Sequence, residues 1–292
     1  MIEPFVYYTP AAVAEAVQLL GQRSAKLIAG GTDVLVQMQE GLLSPEALVD
    51  ISGIDALKGI REETEHVVIG AAATHHEVME WAHNLPQYAA LAEASGSVGT
   101  PQVRNIATVA GNLCNAVPSA DLGAPVLLYN SSLTLASANG SRQLPAIEFF
   151  TGPKKTALLP GEMVLSIRLT APPVGCASAY CKHGPRKASD LAMVGVAAMV
   201  GLDDNSAVTS LVIGLNAVAP TPILVQGCEQ LVGQVMSLSL LDRCARMAAQ
   251  QCRPITDYRA GAEYRRDMVG VLTKRALERC AAKLGKEVRE DG

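Results

Sequence analysis

Apolar residues recur at helical spacing over residues 11–20, where Val13, Ala16, Val17 and Leu20 share one face and Gly21 closes the segment. Lys26, Leu27 and Ile28 then read as a short strand running into a glycine turn. Val34, Leu35 and Met38 resume the helical period behind it. The predicted unit is helix, strand, glycine turn, helix. Residues 47–51 and 66–70 read as two further strands. Thr74 and Glu77 have the spacing of a capping box, which predicts a helix from there to about Ala82, stopped near Pro86. Further helices are predicted over 88–95 and 118–129. Residues 131–150 read as strand, turn and strand around Asn139-Gly140, a sequence suited to a tight hairpin.

Pro172-Pro173 marks the clearest break in the pattern. Before it, residues 163–169 read as a strand. After it, 192–202 and 211–218 read as strands, with a turn near Asp203-Asp204-Asn205-Ser206. Two long helical segments close the chain, near 238–252 and 260–284. The expected architecture is α+β. It has an N-terminal region over 1–175 in two lobes, about 1–55 and 56–175, and a smaller α+β C-terminal domain over 177–286. There is no internal repeat and no low-complexity tract.

Two glycine-bearing loops, each leading to an aspartate, carry the chemistry. The first is Leu27-Ile28-Ala29-Gly30-Gly31-Thr32-Asp33. The second is Ala107-Thr108-Val109-Ala110-Gly111-Asn112, with Asp121 further on. Small residues let backbone N–H groups crowd around one anion, so such loops suit a diphosphate. Two of them suggest a dinucleotide held between two lobes. The first loop is not a Rossmann fingerprint, because its glycines are adjacent, and not a P-loop, because no Gly-Lys-Ser/Thr follows. Its alternative reading is a tight turn between strand and helix. Thr32 offers a hydroxyl, and Asp33 suits loop amides or a ribose hydroxyl. Asp121 either caps the helix expected after Pro118 or meets a ribose or amide group of a ligand.

Composition narrows the field. The chain has 292 residues, 49% of them hydrophobic and 18% charged, with a formal net charge of -4. That is ample for two or three packed domains. No basic block follows a phosphate backbone, which argues against nucleic-acid binding. No apolar run reaches the roughly 18 residues of a membrane span. Met1-Ile2-Glu3-Pro4 does not resemble a secretory signal, so a cytoplasmic location is expected. The seven cysteines are scattered without a Cys-x-x-Cys pair, and most are expected to be buried thiols rather than disulfides or metal ligands. His75-His76 and His183 are expected to be ordinary surface or packing histidines.

The stretch Lys26-Leu27-Ile28-Ala29-Gly30-Gly31-Thr32-Asp33 resembles the first flavin-binding loop of the FAD subunit of molybdenum hydroxylases. Gln102-Val103-Arg104-Asn105-Ile106-Ala107-Thr108-Val109-Ala110-Gly111-Asn112 resembles the second. Asp121, after Pro118-Ser119-Ala120, matches the family's acidic residue. Arg186-Lys187-Ala188-Ser189-Asp190-Leu191-Ala192 and Ala219-Pro220-Thr221-Pro222 resemble its C-terminal domain. The pattern is most similar to the separate FAD subunit of bacterial xanthine dehydrogenases, with the carbon monoxide and nicotinate dehydrogenase subunits as near relatives. The resemblance implies a two-lobed FAD-binding domain of PCMH type followed by a molybdenum-hydroxylase flavoprotein C-terminal domain.

It further implies that residues 26–33 and 108–112 clasp the FAD diphosphate, that Asp121 lies at the flavin's polar groups, that Leu165 packs on FAD, and that Lys182 reaches the cofactor from the C-terminal domain. The family usually has glycine where this chain has Ala110. If that position needed a left-handed backbone, alanine would be strained by about 1 kcal/mol or more. Some relatives insert a cysteine-rich segment after the second loop to hold an iron–sulfur cluster. Here the chain runs directly from Asn112 through Cys114 to Asp121, so no cluster is expected in this chain.

By resemblance, substrate is oxidised at a molybdenum cofactor in a large partner chain. Electrons cross 2Fe-2S clusters in a small partner chain and reach the FAD here, which passes them to NAD or another acceptor. The chain is then one subunit of a heterotrimer, and its site residues bind rather than act as acid or base. Two other readings stand beside this one: a flavin-binding or interaction protein without electron transfer, and a nucleotide-dependent transferase.

Overall fold

A computed structural model describes residues 2–22, 24–186 and 189–290. The first lobe begins with β1 (Val6–Tyr8), α1 (Val13–Gln22), β2 (Ala25–Ile28), α2 (Val34–Gln39) and β3 (Ala47–Asp50). The strands form a parallel sheet in the order β1-β3-β2, with Val6 opposite Ala47 and Ile28 opposite Asp50. Parallel neighbours need crossovers, and α1 and α2 supply them. Ile28, Met38 and Leu48 form this lobe's own small core. The first glycine loop therefore leaves the carboxyl end of a parallel strand, where open α/β sheets place ligands.

The second lobe runs through β4 (Ile60–Glu62), β5 (His66–Gly70), α3 (His75–Ala82), α4 (Ala89–Ser97), α5 (Pro101–Arg104), α6 (Val109–Asn115) and α7 (Gly123–Leu127). It continues with β6 (Ser132–Ser137), β7 (Gly140–Pro145), α8 (Ala146–Phe149), β8 (Phe150–Gly152), β9 (Lys155–Thr156) and β10 (Met163–Thr170). Five strands make an antiparallel sheet in the order β4-β5-β10-β6-β7. Ile69, Leu133, Leu135 and Ile167 of the sheet and Val109, Leu113 and Leu122 of the helical segments are all buried in one core. The Thr74 side chain accepts from the Glu77 amide and Glu77 accepts from the Thr74 amide, so the expected capping box starts α3. The hairpin at Asn139-Gly140 forms, with Ser137 opposite Gly140.

The C-terminal domain consists of β11 (Cys176–His183), β12 (Val194–Leu202), β13 (Val208–Asn216), β14 (Ile223–Leu224), α9 (Leu238–Gln251) and α10 (Ala262–Lys283). Its four strands are antiparallel in chain order, and both long helices pack on one face. The α+β class expected from the sequence is the class observed.

Strand β11 joins the two domains by its side-chain period of two. Ala177, Ala179 and Cys181 face the helices of their own domain. Ser178, Tyr180 and Lys182 face the other way. Ser178 Oγ donates to Gln87 O at 2.9 Å and accepts from Ala90 N at 2.9 Å. Glu93 of α4 accepts from the Tyr180 amide and from Lys283 Nζ, each at 2.7 Å, and pairs with Arg279 at 2.7 Å.

Several expectations are corrected. The helix expected over 118–129 shrinks to Gly123–Leu127, because 117–121 turn instead, with Ala120 N donating to Val117 O. The second glycine loop is largely the first turns of α6, with Thr108 at the cap. Gly21 does not end α1, which continues through Gln22. Strand β11 escaped the sequence reading because both its faces are buried, so its small and polar residues show no amphipathic alternation. Strand β1 is only three residues long.

Removing the Glu93 carboxylate leaves Arg279 and Lys283 without their shared partner at the domain seam. Glu93→Ala is expected to lower unfolding free energy by about 2 kcal/mol, measured as a shift in urea midpoint.

Candidate functional site

The first loop is shaped by contact with the second. A Cβ on Gly30 would lie 1.9 Å from Ile106 O and 2.8 Å from Ala107 Cα, so only glycine lets the two backbones meet. Gly31 has φ +71°, a left-handed conformation that turns the chain into α2. Leu35 N donates to Gly31 O and Gln37 N to Asp33 O, both inside that first helical turn. Among the described residues, the amides of Ala29, Gly30, Gly31, Thr32 and Asp33 have no backbone or side-chain acceptor. Five consecutive unpaired N–H groups at a glycine turn form a surface suited to an anion. Burial pushes the Asp33 carboxyl up, opposed by a hydrogen bond from Asn115 and by the charge of Lys154. Lys26 is exposed, Leu27 half-buried and Ile28 buried on the strand leading in.

The second loop is fixed from behind by the start of α3. Thr74 bridges to Thr108, His75 N donates to Ala107 O at 2.9 Å, and Val109 N to Ala73 O at 3.1 Å. Thr108 Oγ1 accepts from Gly111 N at 3.0 Å and so caps α6. Val109 and Ala110 are buried, and Gly111 is exposed. Ala110 lies inside the helix, outside the set of left-handed residues, so its methyl brings no backbone strain. The left-handed backbone under which alanine there would be strained is absent at this position. Gln37 Nε2 donates to Asn115 Oδ1 at 3.5 Å, a further tie between α2 and α6.

Asp121 and Lys182 come together at the domain seam. Lys182 Nζ donates to Asp121 Oδ2 at 2.8 Å, and Tyr180 Oη donates to Asp121 Oδ1 at 2.8 Å. Asp121 is 6% exposed. Burial pushes its carboxyl up, against the charge of Lys182 and the bonds from Lys182 and Tyr180. Asp121 does not cap α7; Leu122 holds that position. Asn112 Oδ1 accepts from Leu122 N at 3.4 Å and ties the seam to α6. Leu165 is the extra residue of a bulge in β10, between the pairs Val164–Leu135 and Ser166–Thr134. A bulge re-aims its side chain, and Leu165 is half-buried there.

The structure thus assembles the residues in two groups. Gly30 meets the backbone that enters the second loop, at Ile106-Ala107, and Asp121 meets Lys182. Ile106, Tyr180, Asn115 and Asn216 take part without having been singled out from the sequence. The one available signal was Tyr180, two positions before Lys182 and hence on the same strand face. His183 accepts or donates to Tyr264 Oη at 3.0 Å, as an ordinary packing partner does. Within the familiar C-terminal segment, Lys187 and Ala188 lie outside the described residues. Among those described, no group of His, Cys, Asp and Glu is placed to hold a metal ion, and no helix is long and apolar enough to cross a membrane. All seven cysteines are free; six are buried and Cys114 is half-buried.

Residues 3–172 match the family model described as the FAD binding domain in molybdopterin dehydrogenase. Residues 179–280 match the CO dehydrogenase flavoprotein C-terminal domain. The chain belongs to the family of FAD-binding subunits of molybdenum hydroxylases. It is similar to the carbon monoxide dehydrogenase medium chain of Hydrogenophaga pseudoflava, 37% identical over 96% of this chain and 100% of the relative. It is also similar to the xanthine dehydrogenase FAD-binding subunit of Escherichia coli, 34% identical over 96% and 97%. Among solved structures, a chain of reconstituted CO dehydrogenase from Oligotropha carboxidovorans superposes with a TM-score of 0.91 at 35% identity, over 97% of this chain and 99% of that one.

His75 is 1% exposed beneath the second loop, and its Nδ1 has no partner. Burial, with the nearby charge of Arg104, pushes its pKa from 6.5 down to about 4. The unfolded chain then binds the proton that the native state refuses, so native stability falls as pH drops below 6.5. Between pH 7 and pH 5 the loss is expected to be about 2 kcal/mol. His75→Leu is expected to flatten that slope in urea titrations run at both pH values.

Proposed function

We propose that the chain is the FAD-carrying, electron-transferring subunit of a molybdenum hydroxylase complex. The observation that carries the reading is the run of five unpaired amides at 29–33, set against the second loop by Gly30. Such a surface fits the diphosphate of FAD, and Thr32 and Asp33 add a hydroxyl and a carboxylate for its polar groups. Lys26, Leu27, Ile28 and Ala29 lead into this clamp, and Thr108, Val109, Ala110, Gly111 and Asn112 form its opposite wall. Leu165 offers an apolar side chain from the bulge. Asp121 and Lys182, matching the family's residues at the flavin, pair with one another and present no net charge there.

Bound FAD supplies an electron carrier that one-electron donors can reduce and a two-electron acceptor can reoxidise. The electrons come from 2Fe-2S clusters of a small partner chain, fed by a molybdenum-cofactor large chain. They leave to NAD or another acceptor. This chain is one of three kinds of subunit, in the cytoplasm, where free thiols such as these seven persist. In this arrangement the large chain selects the substrate. A xanthine dehydrogenase-like complex is supported by 34% identity over 97% of the Escherichia coli subunit. A carbon monoxide dehydrogenase-like complex is supported by 35% and 37% identity to two medium chains.

Purified chain is expected to be yellow and to bleach with dithionite; preparations that remain colourless with added FAD overturn the reading. Gly31→Ala, which strains the left-handed turn by about 1 kcal/mol, is expected to weaken FAD binding several-fold while circular dichroism is unchanged. Complex isolated from the native host and assayed with xanthine and with carbon monoxide tells the two substrate readings apart.

A further inference from the structure

The FAD-binding domain and the C-terminal domain meet along one face of β11, and that face is attached to both ends of the second loop. Lys182 Nζ donates to Ser97 O at 3.1 Å and to Asp121 Oδ2 at 2.8 Å. Ser97 closes α4, just ahead of the loop; Asp121 follows α6, just beyond it. Between them lie α5, the Ile106-Ala107 backbone that meets Gly30, and Thr108.

Tyr180 completes the attachment. Its hydroxyl donates to Asp121 Oδ1, so both carboxylate oxygens are held by donors from β11. Room for that hydroxyl comes from Gly195 on β12, where a Cβ would lie 2.5 Å from Tyr180 Oη. Asn216 of β13 secures the backbone, donating to Asp121 O at 3.0 Å and accepting from Ala124 N at 2.8 Å. Asp121, Tyr180 and Asn216 are all buried. A buried carboxylate with both oxygens satisfied by protein donors is held in one place, because releasing either donor leaves an unpaired polar group. Leu122, its neighbour, donates to Asn112 of α6 and passes that constraint to the loop.

We infer that Tyr180 is a positioning residue: through Asp121 and Lys182 it fixes both flanks of the second loop to the C-terminal sheet, and thereby sets the half of the diphosphate clamp that faces Gly30. The inference rests on the reading that FAD's diphosphate lies between the two loops. Its consequence is that the C-terminal domain governs FAD affinity through a residue with no need to touch the diphosphate.

The test uses the full chain, with FAD titrated by quenching of flavin fluorescence and amide exchange followed in the ligand-free protein. Tyr180→Phe keeps the ring and removes only the hydroxyl. It is expected to raise the FAD dissociation constant about tenfold, the scale of one hydrogen bond to a charged group. It is also expected to speed exchange within residues 105–112 while leaving β12 and β13 protected. In an Asp121→Asn background the same substitution is expected to add little, since the hydroxyl acts through that carboxylate. Lys182→Arg is expected to keep most of the affinity that Lys182→Met loses. Native affinity with unchanged exchange in Tyr180→Phe overturns the inference, as does fully additive behaviour in the double variant or faster exchange spread over the whole chain. If the unsubstituted chain binds no FAD, the diphosphate reading fails, and the exchange measurement alone still decides whether Tyr180 holds the loop.

Discussion

The backbone of Gly30 lies directly against the carbonyl of Ile106, at a spacing that no side chain permits. That contact brings together two lobes of different construction, one with a parallel sheet and one with an antiparallel sheet. Everything on either side serves the approach. Strand β2 delivers the glycine turn from the first lobe, and the capped start of α3 braces the second loop from beneath. The amides of 29–33, with no acceptor among the described residues, lie on the turn that makes this contact. Backbone donors are well suited to a diphosphate because their positions are fixed by the fold rather than by flexible side chains.

The second constraint is the polar seam between the domains. Buried Asp121, Tyr180, Ser178 and Asn216, with half-buried Lys182 and Glu93, form a set of hydrogen bonds and ion pairs. Such a network contributes little net stability compared with apolar packing, because desolvation offsets much of the attraction. What it confers is a single relative placement: a shifted domain would leave several buried groups unpaired. The seam's residues alternate along β11 with the apolar residues that bind the strand to its own helices.

Membership of the molybdenum hydroxylase flavoproteins makes FAD the redox group of this chain. The cofactor carries the redox step, and the protein supplies binding, orientation and local charge. Ala110 illustrates how a departure from the usual glycine is absorbed. The position falls within the first turn of α6, where alanine is a good helix former.

The sequence by itself determined the α+β class, the glycine turn after Ile28, the capping box at Thr74, the hairpin at Asn139-Gly140 and the two long C-terminal helices. Each is encoded within about 20 residues by periodicity, by a cap or by a turn, and local signals of that kind survive any packing. Resemblance extended the reading to the paired loops and to Asp121, Leu165 and Lys182. Tertiary structure alone decided the rest. The start of the helix expected from 118 gave way to a turn whose Asp121 has partners on β11 and β13; β11 itself was hidden because both of its faces are buried; and Tyr180, Asn216 and Ile106 acquired their roles from residues at least 59 positions away. Pairings over such separations depend on how domains dock, and docking is set by shape and by the need to satisfy buried polar groups, neither of which is written in a local stretch of chain.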